Sequence, residues 1–316
     1  MAAIEEGNFD AALACFEEAE AQGEEPRALY RGKGIALLGK SEYNRAVEAL
    51  ETALSKSGPI VDATDYDINF YLAAAYFKNG DEARALNVYN AILALQPKNR
   101  DALYLRGSVF LKQGDYESAC ADFEQVIDLD PADMEGLIRI CELLGKAGYR
   151  QIALEYLTTA QGNAASKSMT DFDRGRICYY QEDYENAKTY LEKARDTENP
   201  DTALFLGRTY EALGDYNYAV SVYMSFLQSN TDNAELYNQL GLCRMHQGAY
   251  EEALTAFQNG LGVENGMCRQ ELAFNEIVAE EYLGEFKRAA VLMETYLASY
   301  PDDENAQREY IFLKTR

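Results

Sequence analysis

Residues 114–119 read GDYESA, and the same shape returns along the whole chain. The segments GNFDAA, SEYNRA, GDEARA, GYRQIA, EDYENA, GDYNYA, GAYEEA and GEFKRA align with it on a closing alanine, at positions 12, 46, 85, 119, 153, 187, 219, 253 and 289. The steps between these alanines are 34, 39, 34, 34, 34, 32, 34 and 36 residues. A fixed period of this length marks a repeat architecture, in which one unit cannot bury its apolar face alone and must stack on its neighbours.

Setting each aligned alanine at place 20 of its unit fixes the other registers. Place 8 is then small, as Gly34, Ala73, Gly107, Cys141, Gly175, Gly207 and Gly241, with Ile277 the exception. Place 24 is bulky: Phe16, Leu50, Tyr89, Phe123, Leu157, Leu191, Tyr223, Phe257 and Met293. Small residues at places 8 and 20 let two helices approach closely, and the bulky residue fills the gap beside them. Gly or Gly-Asp at places 15 and 16 ends the first helix in a left-handed cap and lets the Asp cap the second. Pro97, Pro131 and Pro301 close second helices.

This period and these registers resemble the tetratricopeptide repeat family, and the resemblance covers the whole chain. It implies an all-α fold, a right-handed superhelical α-solenoid of about nine helix pairs. The units fall near 1–26, 27–60, 66–99, 100–133, 134–167, 168–199, 200–233, 234–267 and 270–303, with 304–316 as a capping helix. The first unit begins at its ninth place, so half of its first helix is expected ahead of Met1. SKSGPIVDATDYD, residues 55–67, reads as a loop insertion that accounts for the 39-residue step. Arg244 and Glu280 stand at place 11, where an apolar residue is usual.

Residues 34–41, GIALLGKS, match the phosphate-loop pattern G-x-x-x-x-G-K-[ST] letter for letter. The repeat register places the residues between its glycines inside a helix. A phosphate loop needs a buried strand leading into free backbone N–H groups, so the match reads as accidental.

Composition narrows the function further. Against 53 Asp and Glu stand 29 Lys and Arg, a net charge of −24 that opposes nucleic acid and anionic lipid. Apolar runs fall far short of the ~20 residues that cross a bilayer, so no direct membrane insertion is expected. Six scattered cysteines, Cys15, Cys120, Cys141, Cys178, Cys243 and Cys268, form no disulfide framework and are expected as buried free thiols. The lone histidine, His246, sits three residues after Cys243 without further ligands nearby. No metal, no cofactor and no enzymatic nucleophile is expected.

In the resembling family, places 2, 5, 9, 12 and 13 of the first helices line a concave groove. Carried over, the resemblance implies a groove of Phe70, Phe77, Lys78, Tyr104, Leu111, Lys112, Lys146, Phe172, Arg176, Tyr179, Tyr180 and Arg208, with Ile138, Glu142, Leu204 and Glu211 beside them. Lys78, Lys112 and Lys146 share place 13 in three consecutive units. Two readings stand open for them: a cation ladder that grips a segment, or helix-end stabilisation worth roughly 0.3–1 kcal/mol each. The carboxylate-gripping set known in some members would begin at Arg31 and Ile35, and its first Asn is absent.

The expected function is therefore a non-enzymatic scaffold or adaptor that holds a protein or peptide, acidic or aromatic-rich, in this groove. The alternatives are a self-associating structural array and the non-catalytic part of a larger, membrane-anchored protein. Unpaired cysteines favour a cytoplasmic location. A truncated first helix fits an extracytoplasmic chain anchored through a segment ahead of Met1.

Overall fold

The computed structural model describes every residue except 1–3, 5–7, 24, 163–168, 196–198 and 265. Among the described residues there are eighteen α-helices and no strand. The chain divides into two compact units, 1–166 and 167–316.

The first unit holds α1 (Phe9–Ala21) and four helix pairs: α2 (Pro26–Gly39) with α3 (Tyr43–Ser55), α4 (Ala63–Lys78) with α5 (Glu82–Leu95), α6 (Arg100–Gln113) with α7 (Tyr116–Leu129), and α8 (Met134–Lys146) with α9 (Arg150–Gly162). The second holds α10 (Asp171–Tyr180) with α11 (Tyr184–Lys193), α12 (Pro200–Ala212) with α13 (Tyr216–Leu227), α14 (Ala234–His246) with α15 (Tyr250–Leu261), and α16 (Arg269–Tyr282) with α17 (Phe286–Ser299). It ends on α18 (Glu304–Leu313). The half-helix expected at the very start falls largely outside the described residues.

Local chemistry starts and stops each helix. The side chains of Asp81, Asp115 and Asp215 accept from backbone N–H groups in the first turns of α5, α7 and α13, each such cap being worth about 1 kcal/mol. The glycine ahead of each aspartate is left-handed, with φ of +80° at Gly80, Gly114 and Gly214. At α6, Asp115 N–H donates to the Phe110 carbonyl at 3.0 Å and Gly114 N–H to that of Leu111 at 3.1 Å, the paired bonds of a Schellman turn. In two units the left-handed place is filled by Ser41 (φ 60°) and Glu182 (φ 62°) instead. The long connection is shorter than the sequence indicates. It spans 56–62, because a reciprocal capping box between Asp62 and Asp65 draws the rest into α4.

The core follows the registers. The place-20 alanines Ala46, Ala85, Ala119, Ala187, Ala219, Ala253 and Ala289 are fully buried. Place 8 meets place 24 of its own unit: a Cβ added at Gly107 would lie 2.6 Å from the Phe123 ring, and one at Gly207 2.2 Å from Tyr223. Gly34 meets Leu50 in the same way, and the phosphate-loop look-alike lies within α2 through Gly39. The cysteines correct an expectation. All six are free, but only Cys141, Cys178 and Cys243 are buried, while Cys15 in the middle of α1 is exposed.

Candidate functional site

The expected groove residues fall on the first helices of both units, and the structure sorts them into distinct environments. In the first unit Phe70 and Phe77 lie half-buried on α4, and Phe70 tilts against Tyr89 at 6.4 Å. Tyr104, on α6, packs against Phe123 at 6.1 Å, and the Arg139 guanidinium of α8 covers its ring at 5.5 Å. Burial pushes the Tyr104 phenol up, so it remains a neutral hydroxyl donor at neutral pH. Leu111 is buried and belongs to the core. Ile138 is buried likewise.

The three lysines of place 13 do not behave alike. The Lys112 ammonium sits 4.7 Å over the Phe77 ring and 3.2 Å from the Glu82 carboxylate, both in the preceding repeat. Lys78 and Lys146 are exposed. The same place joins neighbouring repeats elsewhere: His246 stacks on Tyr216 at 3.7 Å, and Tyr282 on Tyr250 at 4.9 Å. Place 13 is thus a junction position, which neither reading of the lysines includes.

In the second unit Phe172, Tyr179 and Tyr180, all on α10, gather around Phe205 of α12. Phe205 stands 6.2 Å from Phe172, 5.4 Å from Tyr179 and 5.8 Å from Tyr180, edge to face in each case. Tyr184 adds a further edge contact to Tyr179 at 5.8 Å. Such pairs contribute about 0.5–1.5 kcal/mol each beyond the area they bury, so the cluster is rigid while its outer rings stay partly open to solvent. Arg176 departs from expectation. It is 6% exposed, with its guanidinium 4.5 Å over Phe172 and 3.3 Å from Asp173, so it supports the cluster from below and does not face solvent. Arg208 is paired with Glu235 at 2.9 Å. Leu204 is buried.

Phe205 and Arg139 stand at place 6, which the groove register omits. Place 5 of one repeat meets place 6 of the next: Arg31 lies 5.8 Å from the Tyr71 ring, Arg139 covers Tyr104, Phe172 meets Phe205, and Asn275 donates to Asn238 at 2.8 Å. Large residues recurring at 71, 105, 139 and 205 were the available signal.

Helix pairs stacked at a fixed period define a helical-repeat protein. Tetratricopeptide repeat family models match residues 1–59, 31–99 and 204–262, residues 72–140, and residues 172–194. The chain belongs to the tetratricopeptide repeat family, whose members are in general protein-interaction scaffolds. Among curated proteins it is similar to BBSome complex member bbs-4 of Caenorhabditis elegans, 25% identical over 214 residues, covering 64% of this chain and 46% of that protein. It is also similar to the DnaJ subfamily C member 7 homolog of Schizosaccharomyces pombe, 25% identical over 257 residues, covering 76% and 49%. The chain thus spans about half the length of these relatives. Among solved structures, yeast Tom70 shares the fold with a TM-score of 0.59 at 14% identity, over 98% of this chain and 59% of that one. A tetratricopeptide repeat protein from Parabacteroides merdae shares it with a TM-score of 0.50 at 16% identity, over 80% and 98%.

Proposed function

We propose that this protein is a non-enzymatic scaffold whose first-helix face in residues 167–316 anchors an extended segment of a protein partner on aromatic rings. The observation that carries this reading is the cluster of Phe172, Tyr179, Tyr180 and Phe205, braced by a buried arginine. Rigid aromatics give large contact area at small entropic cost, and they are enriched where interfaces concentrate their energy. The acidic-partner form of the reading rests on fewer cations than the sequence indicated. Arg176, Arg208 and Lys112 each have a carboxylate within 3.3 Å, which leaves the exposed Lys78 and Lys146 to serve an acidic segment in the other unit.

Selection of a random peptide library on the full chain tests it. Peptides enriched in aromatic residues should emerge, and a Tyr179→Ala/Tyr180→Ala variant should lose them by about tenfold or more in affinity. Selected peptides that bind this variant as well as the parent would remove the aromatic anchor. Loss of binding on Lys78→Glu/Lys146→Glu alone would move the site to the first unit and restore the electrostatic form.

A further inference from the structure

A second kind of surface lies on the opposite register, between consecutive second helices. A crevice recurs there, lined by places 23, 26 and 27. Between α3 and α5 these are Val88, Ala91 and Ile92; between α7 and α9, Tyr156, Thr159 and Ala160; between α11 and α13, Val222, Ser225 and Phe226. The volumes are about 240, 320 and 190 Å³ in that order. Geometry is shared and chemistry is not.

The α7–α9 crevice has an apolar floor that includes Ile127, Leu137 and Ala160, and a rim of Glu124, Asp128 and Asp130. Arg100 sits at one end, donating to Asp133 at 2.6 Å and lying 3.5 Å from Asp130. It therefore satisfies that end only. Glu124 accepts a long 3.5 Å contact from the Tyr156 hydroxyl, and Asp128 makes no ion pair among the described residues. These two carboxylates are one helical turn apart on α7, so they project as neighbours from one face. The other crevices lack this pairing. The α3–α5 crevice offers Asp65, already held by Arg27 at 2.6 Å, and the α11–α13 crevice is lined by Arg195 and, among the described residues, by no carboxylate.

We propose that the α7–α9 crevice is a docking site for an arginine side chain presented by a protein partner. An arginine carries an apolar stem that suits the floor and a planar fork of donors that can span Glu124 and Asp128 while lying against the Tyr156 ring. A lysine ammonium is a point charge with no such fork. Charge complementarity favours this occupant over an acidic segment. The inference is independent of the aromatic anchor, since it uses second helices of the other unit.

Methyl NMR on the full chain decides the matter, with Nα-acetyl-arginine methylamide as probe and its citrulline counterpart as the neutral isostere. The arginine probe should shift the Ile127 and Leu137 methyls saturably, while citrulline should leave them in place. Glu124→Gln/Asp128→Asn should weaken the titration about tenfold or more, as expected for losing hydrogen bonds to charged acceptors. Both side chains are exposed, so the fold is unaffected, and an unchanged spectrum elsewhere verifies this. Equal shifts with citrulline, equal shifts at Ile92 and Leu206 of the other crevices, or an unchanged affinity in the double variant would each overturn the proposal.

Discussion

Glu280 is 1% exposed at place 11, where the sequence already stood out for lacking an apolar residue. Burial raises its carboxyl pKa. The Arg288 guanidinium, 3.0 Å away, opposes this, and the charges of Glu276 and Glu285 add to it. Its neighbour Glu281 is pushed up to about 7, first by burial and then by Glu309 of α18. The folded chain holds that proton more tightly than the unfolded chain, whose glutamate titrates near its ordinary 4.5. The stabilisation is complete below pH 4.5 and drains away as pH climbs through 7. Urea midpoints for residues 167–316 should therefore fall between about pH 5 and 7.5, and Glu281→Gln should flatten the profile. A wild-type slope retained in that variant would show that another group titrates. Sequence made Glu280 visible as a broken pattern, but it hid the burial of Arg176. The rings that cover Arg176 include Phe205, 29 positions further on, and only the stacking of repeats brings them together.

Turns and helix pairs were the most legible level, because each register reflects one steric demand. The place-8 glycines exist for the ring opposite, so Gly207→Ala, with its Cβ 2.2 Å from Tyr223, should cost about 1–3 kcal/mol in denaturant unfolding. A change below a few tenths would mean that Tyr223 can withdraw. The turn at Glu182 offers the opposite sign. A β-carbon in the left-handed region is strained, so Glu182→Gly should stabilise by about 0.5–1 kcal/mol, read from the same unfolding curves. The sequence placed a glycine or a cap in most of these turns and missed that Ser41 and Glu182 adopt the same backbone without one. It also overdrew the 55–67 loop, since turn-forming residues such as Asp62 and Asp65 equally make a helix start. Nothing in a groove register borrowed from a family marks place 6, so Phe205 and Arg139 were passed over although large residues recur at that place in the sequence.

Across the whole molecule no described helix is long and apolar enough to cross a membrane, and the helices fall into two compact units. In arrays whose repeats touch only their neighbours, damage should stay local. Phe257→Ala empties a fully buried site and should cost about 3–5 kcal/mol there. Hydrogen exchange should rise through α14, α15 and α16 while α2 to α5 keep their protection. Uniform loss of protection would indicate one cooperative block instead. The contacts from place 5 to place 6 carry a last consequence. Arginine meets tyrosine at one junction, phenylalanine meets phenylalanine at another, and asparagine meets asparagine at a third. The chemistry of these junctions therefore differs from one to the next. Excising residues 200–233 would set Phe172 opposite Gln239, an amide in place of the Phe205 ring it now meets, so a chain that skipped this repeat while folding would meet a mismatch at the splice.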